Sequence, residues 1–166
     1  MSYLPERLLT TPFKVDVLRQ SNISTSYSPS RMIWTTVGTQ VTSVSLSQGS
    51  TLLTFPAGAS YYLEASIGGL NVSKNSTAQW QFYDTGNSAY IGQSANLCIN
   101  VSHGYETLQG RRVARALILD SEINVTMSVA LALRSSSGTT SYSCTATGIN
   151  NQPIGVPTLR IIELPS

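Results

Sequence analysis

Apolar and polar residues alternate with a period of two along most of this chain, and that period predicts strands. The clearest run covers residues 122–134. Ile123, Val125, Met127, Val129, Leu131 and Leu133 point one way, while Asn124, Thr126, Ser128, Ala130, Ala132 and Arg134 point the other. Successive side chains of a strand face opposite sides, so this run reads as a long strand beginning at Glu122 with one buried face. Its β-branched content argues against a helix. Tyr61, Leu63, Ala65 and Ile67 alternate with Tyr62, Glu64 and Ser66 in the same way, and Ala78, Trp80 and Phe82 with Gln79, Gln81 and Tyr83. Weaker strands are expected over 13–19, 32–37, 42–47, 51–55, 95–101, 113–119, 139–147 and 158–163. Turn chemistry separates them at Gln48-Gly49, Pro56-Ala57-Gly58, Gly68-Gly69, Thr85-Gly86-Asn87, Gln109-Gly110, Ser135 to Gly138 and Asn150 to Pro153. About ten short strands so spaced predict an all-β antiparallel sandwich or barrel.

The two ends differ from the middle. Residues 1–12 carry two prolines and an apolar cluster of Leu4, Leu8 and Leu9, and read as a docking arm ahead of a single domain over 13–166. Residues 20–30 are nearly all small and polar, a loop longer than average. The run from Leu159 to Ser166 reads as a terminal strand, ending at the last residue and tied into a sheet.

Composition sharpens this picture. The chain has 166 residues, enough for one domain with a sizeable core. Only 11% are charged, against about 25% in an average soluble domain, and 25 Ser and 18 Thr stand in their place. Exposed helix faces are normally filled with Glu, Lys, Gln, Arg and Ala, so this composition disfavours a helical protein. Disorder is disfavoured too, since 41% of residues are hydrophobic and they are patterned. A net charge of +2 is too small to predict nucleic-acid or membrane-surface binding. Apolar stretches such as 129–133 fall far short of the roughly 20 residues of a membrane helix. Pro5, Glu6 and Arg7 interrupt the start before any apolar run, so no secretory signal is expected and synthesis in a cytoplasm is.

Candidate chemistry is sparse. Cys98, Cys144 and His103 cannot complete a four-ligand zinc site, and the cysteines, both in strand contexts, read as packing thiols or a single bridge. No nucleophile elbow accompanies His103, which reads as a solvated or interface histidine in a loop. Asp120 and Glu122 are two apart, so on a strand they would share a face; Asp84 precedes a Gly-Asn turn. Such carboxylates can serve a hydrolase or a calcium site, but at strand junctions they more often keep an edge soluble. Arg111, Arg112 and Arg115 are the basic cluster, without the interleaved aromatics of a nucleic-acid surface. Asn-x-Ser/Thr triplets at Asn22, Asn71, Asn75, Asn100 and Asn124 read as a by-product of hydroxyl-rich strands. No catalytic residue, cofactor or metal is expected.

The stretch from Phe55-Pro56-Ala57-Gly58 through Tyr61-Tyr62-Leu63-Glu64-Ala65 resembles the signature strand of the C1q/TNF-like jelly rolls, with a one-residue departure after the glycine. There an aromatic precedes a Gly turn and a Tyr-rich alternating strand follows. Trp80-Gln81-Phe82-Tyr83-Asp84 with Ile91-Gly92, and 114–120 followed by the long strand, are similar to bacteriophage virion proteins of that fold. The resemblance spans roughly 31–164 and implies a jelly-roll sandwich and a homotrimer. Subunit contacts are then expected at the outward-facing Tyr62, Tyr83, Ala130 and Ala132.

Taken with the low charge and the arm, this leads to an expected function. The chain reads as a non-enzymatic virion protein, a homotrimeric decoration or cement protein binding the major capsid protein of a tailed phage. Leu4, Leu8 and Leu9 would anchor the arm, with Arg7 or Lys14 pairing to capsid acids. It would sit on the capsid surface after synthesis in the host cytoplasm. The alternative is a receptor-binding head of a tail fibre with the same fold; fibre heads normally follow a long shaft, and none is encoded here.

Overall fold

The computed structural model describes residues 13–20, 31–47, 51–67, 70–72, 76–99, 106–107, 112–123, 126–137, 143–144 and 157–164. In chain order the strands are β1 (Lys14–Gln20), β2 (Trp34–Thr36), β3 (Ser45–Leu46), β4 (Leu53–Pro56), β5 (Ser60–Ile67), β6 (Leu70–Val72), β7 (Ser76–Asp84), β8 (Ala89–Ile99), β9 (Glu106–Thr107), β10 (Arg112–Ile118), β11 (Thr126–Ser137), β12 (Ser143–Cys144) and β13 (Thr158–Leu164). One 3-10 turn, Asp120–Glu122, precedes β11, and no α-helix occurs among the described residues.

The protein is an all-β antiparallel sandwich of jelly-roll type. The pairings β4 with β11, β5 with β10, β6 with β9 and β7 with β8 are nested. The chain from β4 to β11 is therefore one long hairpin with its tip at the turn after Asp84, and the roll of that hairpin makes the sandwich. One sheet runs β2-β1-β13-β5-β10 and the other β8-β7-β11-β4-β3; a contact between β8 and β10 joins them into a single ten-stranded order. Strands β12, β6 and β9 form a separate small sheet. The terminal strand β13 lies between β1 and β5, as a tied-in end should.

Between the sheets the alternation fills one core. Tyr61, Leu63, Ala65 and Ile67 of β5 are buried, as are Trp80 and Phe82 of β7, Leu53 and Phe55 of β4, Val129 of β11, and Leu159 and Ile161 of β13. Phe55 meets Tyr61 edge to face with ring centroids 5.0 Å apart. The two sheets join at a bulge. In the β7–β8 ladder Trp80 faces Ala95 but Phe82 faces Ile91, so the β8 residues between them swing out opposite Gln81. Gln93 then pairs with Arg115 of β10, and the Gln81 side-chain Nε2 donates to the Gly92 carbonyl at 2.6 Å, filling the bulge. Gly92 has φ +68°, and a Cβ there would stand 2.0 Å from the Arg115 carbonyl oxygen, so only glycine admits this approach.

Several element boundaries depart from the alternation pattern. Glu122 does not open the long strand, which starts at Thr126 and continues past Arg134 to Ser137. Side chains win over the ladder here: Glu122 Oε2 accepts from the Leu119 amide (2.9 Å) and Asp120 Oδ1 from the Gly58 amide (2.6 Å), closing the 3-10 turn. Asp120 and Glu122 therefore share no strand face. Strand β8 reaches back to Ala89, six residues before the expected start, because Gly92 makes a bulge rather than a turn. Within the expected strand 42–47 only Ser45–Leu46 pairs, since carboxylates rather than a neighbouring strand take the amides of Thr42 and Ser43.

Candidate functional site

The most informative local feature is β1, where alternation and burial run opposite to expectation. Phe13, Val15 and Val17 form its apolar side, and they are the exposed side, at 62%, 40% and 37%. Asp16, between the valines, is buried. A buried carboxylate beside exposed valines is the kind of departure that marks a surface with a purpose. Register carries the apolar side across the sheet. Val15 faces Ile162 of β13, Ile162 faces Tyr62 of β5, and Tyr62 faces Leu117 of β10. These four outward side chains make one row, about 15 Å long at the usual strand spacing. Ile162 and Tyr62 are half-buried and Leu117 is exposed. The next row, Val17, Arg160, Glu64 and Arg115, is charged along most of its length, with Arg115 Nε on Glu64 Oε2 at 3.1 Å. An apolar row bordered by a polar one is the anatomy of an association face.

Two carboxylates hold this inverted strand. Asp16 accepts from the amides of Val41 (2.7 Å) and Thr42 (3.2 Å) and from the Thr42 hydroxyl, so the segment after β2 is strapped over β1. Glu163 accepts from Lys14 Nζ, the Ser43 amide and the Ser43 hydroxyl, each at 2.6 Å, and Ser43 Oγ lies 2.9 Å from the Tyr61 hydroxyl. Burial pushes the Glu163 carboxyl up, but the bonds from Lys14 and Ser43 outweigh it and hold the group below its ordinary value. The hydrogen bond to Glu163 raises Lys14, and burial raises Tyr61. A Ser, Tyr and Lys together suggest a nucleophile and its base, but the shifts are wrong for that. The ammonium is held protonated and the carboxylate is made a weaker base, so the set works as a latch.

The expected site residues separate in the fold. Tyr62 belongs to the apolar row, its hydroxyl 3.4 Å from Glu64 Oε2. Tyr83 lies on the opposite sheet, half-buried and edge to face with Tyr90 at 4.9 Å. Ala130 and Ala132 face Tyr83 and Gln81 across the β11–β7 ladder. These alanines lie on the face opposite the core residue Val129, and are 0% and 7% exposed within the single chain. Each is a short methyl on an inner strand beside a larger ladder partner, and the larger side chains shield it. Lys14 is part of β1 rather than an arm, and its acid partner is Glu163 of its own chain. Leu4, Arg7, Leu8, Leu9, His103 and Arg111 lie outside the described residues. Cys98 and Cys144 fall in β8 and β12. Asp84 is consumed by its turn, with Oδ1 accepting from the Gly86 amide (2.9 Å) and the Asn87 amide (3.3 Å) and Oδ2 from Asn87 Nδ2 (2.6 Å). Among the described residues no three His, Cys, Asp or Glu gather to hold a metal ion.

No protein-family model matches the chain, and no curated protein matches it. Sequence reasoning missed Val15, Ile162 and Leu117, because alternation tells which residues share a face but not which face meets the core. Only the carboxylate strap, a tertiary feature, decides it.

Proposed function

We propose that this chain is a structural virion protein that works by adhesion, a homotrimeric decoration protein that binds and stabilises the major-capsid lattice of a tailed phage. The observation that carries the reading is the inverted β1, with its outward row through Val15, Ile162, Tyr62 and Leu117. Burial of that row against another copy removes apolar surface from water, worth about 25 cal/mol per Å². The hydroxyl-rich, weakly charged composition supports the same reading, since Ser, Thr and Tyr surfaces bury without desolvating charge. The homotrimer and the virion setting rest on the resemblance to jelly-roll virion proteins. In this reading each trimer contacts several capsid subunits at once, and the avidity holds the shell against its packaged contents.

Sedimentation velocity at micromolar concentration tests the association; a trimer is expected, and a strict monomer refutes it. Co-sedimentation with expanded empty phage capsids tests the destination. Binding to host cells but never to shells replaces the proposal with the receptor-binding head.

A further inference from the structure

Strands β8 and β10 pair at a single point, Gln93 with Arg115. Toward the β7–β8 turn they part, and the gap holds a cleft of about 450 Å³. That volume lies in the usual range of small-molecule sites, about 300–1,000 Å³. Its apolar lining comes from the two sheets together: Ile91 of β8, Ile118 of β10 and Met127 of β11. Among the described residues the polar side chains of the lining are Asp84, Asn87 and Glu122, and none is cationic.

The charged side chains of this lining, Asp84 and Glu122, are both acidic. Asp84 is occupied by the turn amides and by one Asn87 Nδ2 hydrogen, which leaves Asn87 its carbonyl oxygen as an acceptor and its second Nδ2 hydrogen as a donor. Glu122 spends Oε2 on the Leu119 amide; among the described residues its second oxygen takes no hydrogen bond. An apolar slot edged by a carboxylate with a free oxygen and by the Asn87 carbonyl fits a ligand with an apolar body and a cationic donor head. The geometry points to the cleft as a binding site for a small primary alkylammonium. The chain lies on Ile91, Ile118 and Met127, and the ammonium donates to Glu122 and the Asn87 carbonyl. Leu117, half of whose surface is exposed, stands at the rim. This site is independent of the assembly reading.

Titration of the full-length protein with n-hexylamine, 1-hexanol and hexanoate at pH 7, followed by methyl and amide NMR, tests it. Hexylammonium is expected to shift the Ile91, Ile118 and Met127 methyls and to bind at least about tenfold more tightly than hexanol, with hexanoate weakest. Glu122→Gln keeps an acceptor for the Leu119 amide, so the turn is retained, and it should erase the preference for the ammonium. Ala89→Leu, which narrows the cleft wall, should weaken ammonium and alcohol alike. No shift at the cleft with any probe overturns the site. Equal binding of ammonium and alcohol, or a preference that survives Glu122→Gln, overturns the assigned chemistry.

Discussion

Replacing Gly92 by alanine tests the junction that turns two sheets into one continuous order. The new Cβ would stand 2.0 Å from the Arg115 carbonyl oxygen, 2.7 Å from Ala116 Cα and 2.8 Å from Ala116 Cβ. All three belong to β10 and none is the far end of a flexible side chain, so the strands themselves must separate by more than an ångström. The φ of +68° adds a left-handed penalty of about 1–2 kcal/mol for a residue with a side chain. Overpacking against backbone adds about 1–3 kcal/mol. Loss of the Gln93–Arg115 pairing adds about 1 kcal/mol. The total, about 3–6 kcal/mol, is a large share of the roughly 5–15 kcal/mol that holds a domain folded. At about 2–4 °C per kcal/mol for a chain of this length, the melting midpoint should fall by about 10–20 °C. Two further glycines calibrate the measurement by circular dichroism. Gly58 has φ +102° but nothing within 4 Å, so Gly58→Ala should show the conformational penalty alone. Gly86, where the nearest atom is Asp84 Oδ1 at 3.4 Å, should accept alanine almost without effect. If Gly92→Ala costs no more than Gly58→Ala, the close approach of β8 to β10 is wrong, and the joined order with it.

The association face and its supports give three more expectations. Val15→Glu should leave the monomer's melting midpoint within about 2 °C, since the side chain is already exposed, yet weaken self-association at least about tenfold by sedimentation; unchanged association removes β1 from the contact. Asp16→Ala deletes the acceptor for Val41 and Thr42 and should cost about 3 kcal/mol in urea unfolding, with faster hydrogen exchange at those two amides. Stability should fall at both pH extremes. Glu163 is held below its ordinary 4.5, so its contribution is complete above that pH and is lost as pH drops through the lower folded value. Lys14 and Tyr61 are raised above 10.5 and 10.0, so theirs is complete below those values and is lost as pH rises. Urea midpoints across pH should show a shallower acid limb in Glu163→Gln; an identical limb would mean that the latch contributes nothing.

Much of the architecture was legible because period-two patterning is a local property. The faces of β5, β7 and β11 follow from it directly, and Tyr61, Trp80, Phe82 and Val129 are buried as alternation requires. Three kinds of feature were not legible. Bulges are one, since what Gly92 does is decided by its neighbour on β10 rather than by its local sequence. Short polar stretches such as Asp120–Glu122 are decided by side-chain acceptors that compete with the ladder. The outward apolar row was half legible: Tyr62 stands out as a large residue on the polar side of β5, but Ala130 and Ala132 look equally outward and are buried within the single chain.

The inverted strand also argues about order of events. β1, paired between β2 and β13, keeps Val15 and Val17 toward water and Asp16 inside, which is costly for a monomer; the opposite facing would cover the valines and hydrate the carboxylate, but would expose Leu18. What prevents the flip is the burial of Leu18 in the core together with a set of long-range bonds: Asp16 to residues 41 and 42, and Lys14 to Glu163. Strand register admits no intermediate, since a one-residue slip exchanges the two faces entirely. The facing of β1 is therefore fixed only after β13 and the strap are in place, so the apolar row becomes available for association as a consequence of completed folding. A chain that has not closed its terminal strand presents no such row, so in the proposed assembly association would follow native folding.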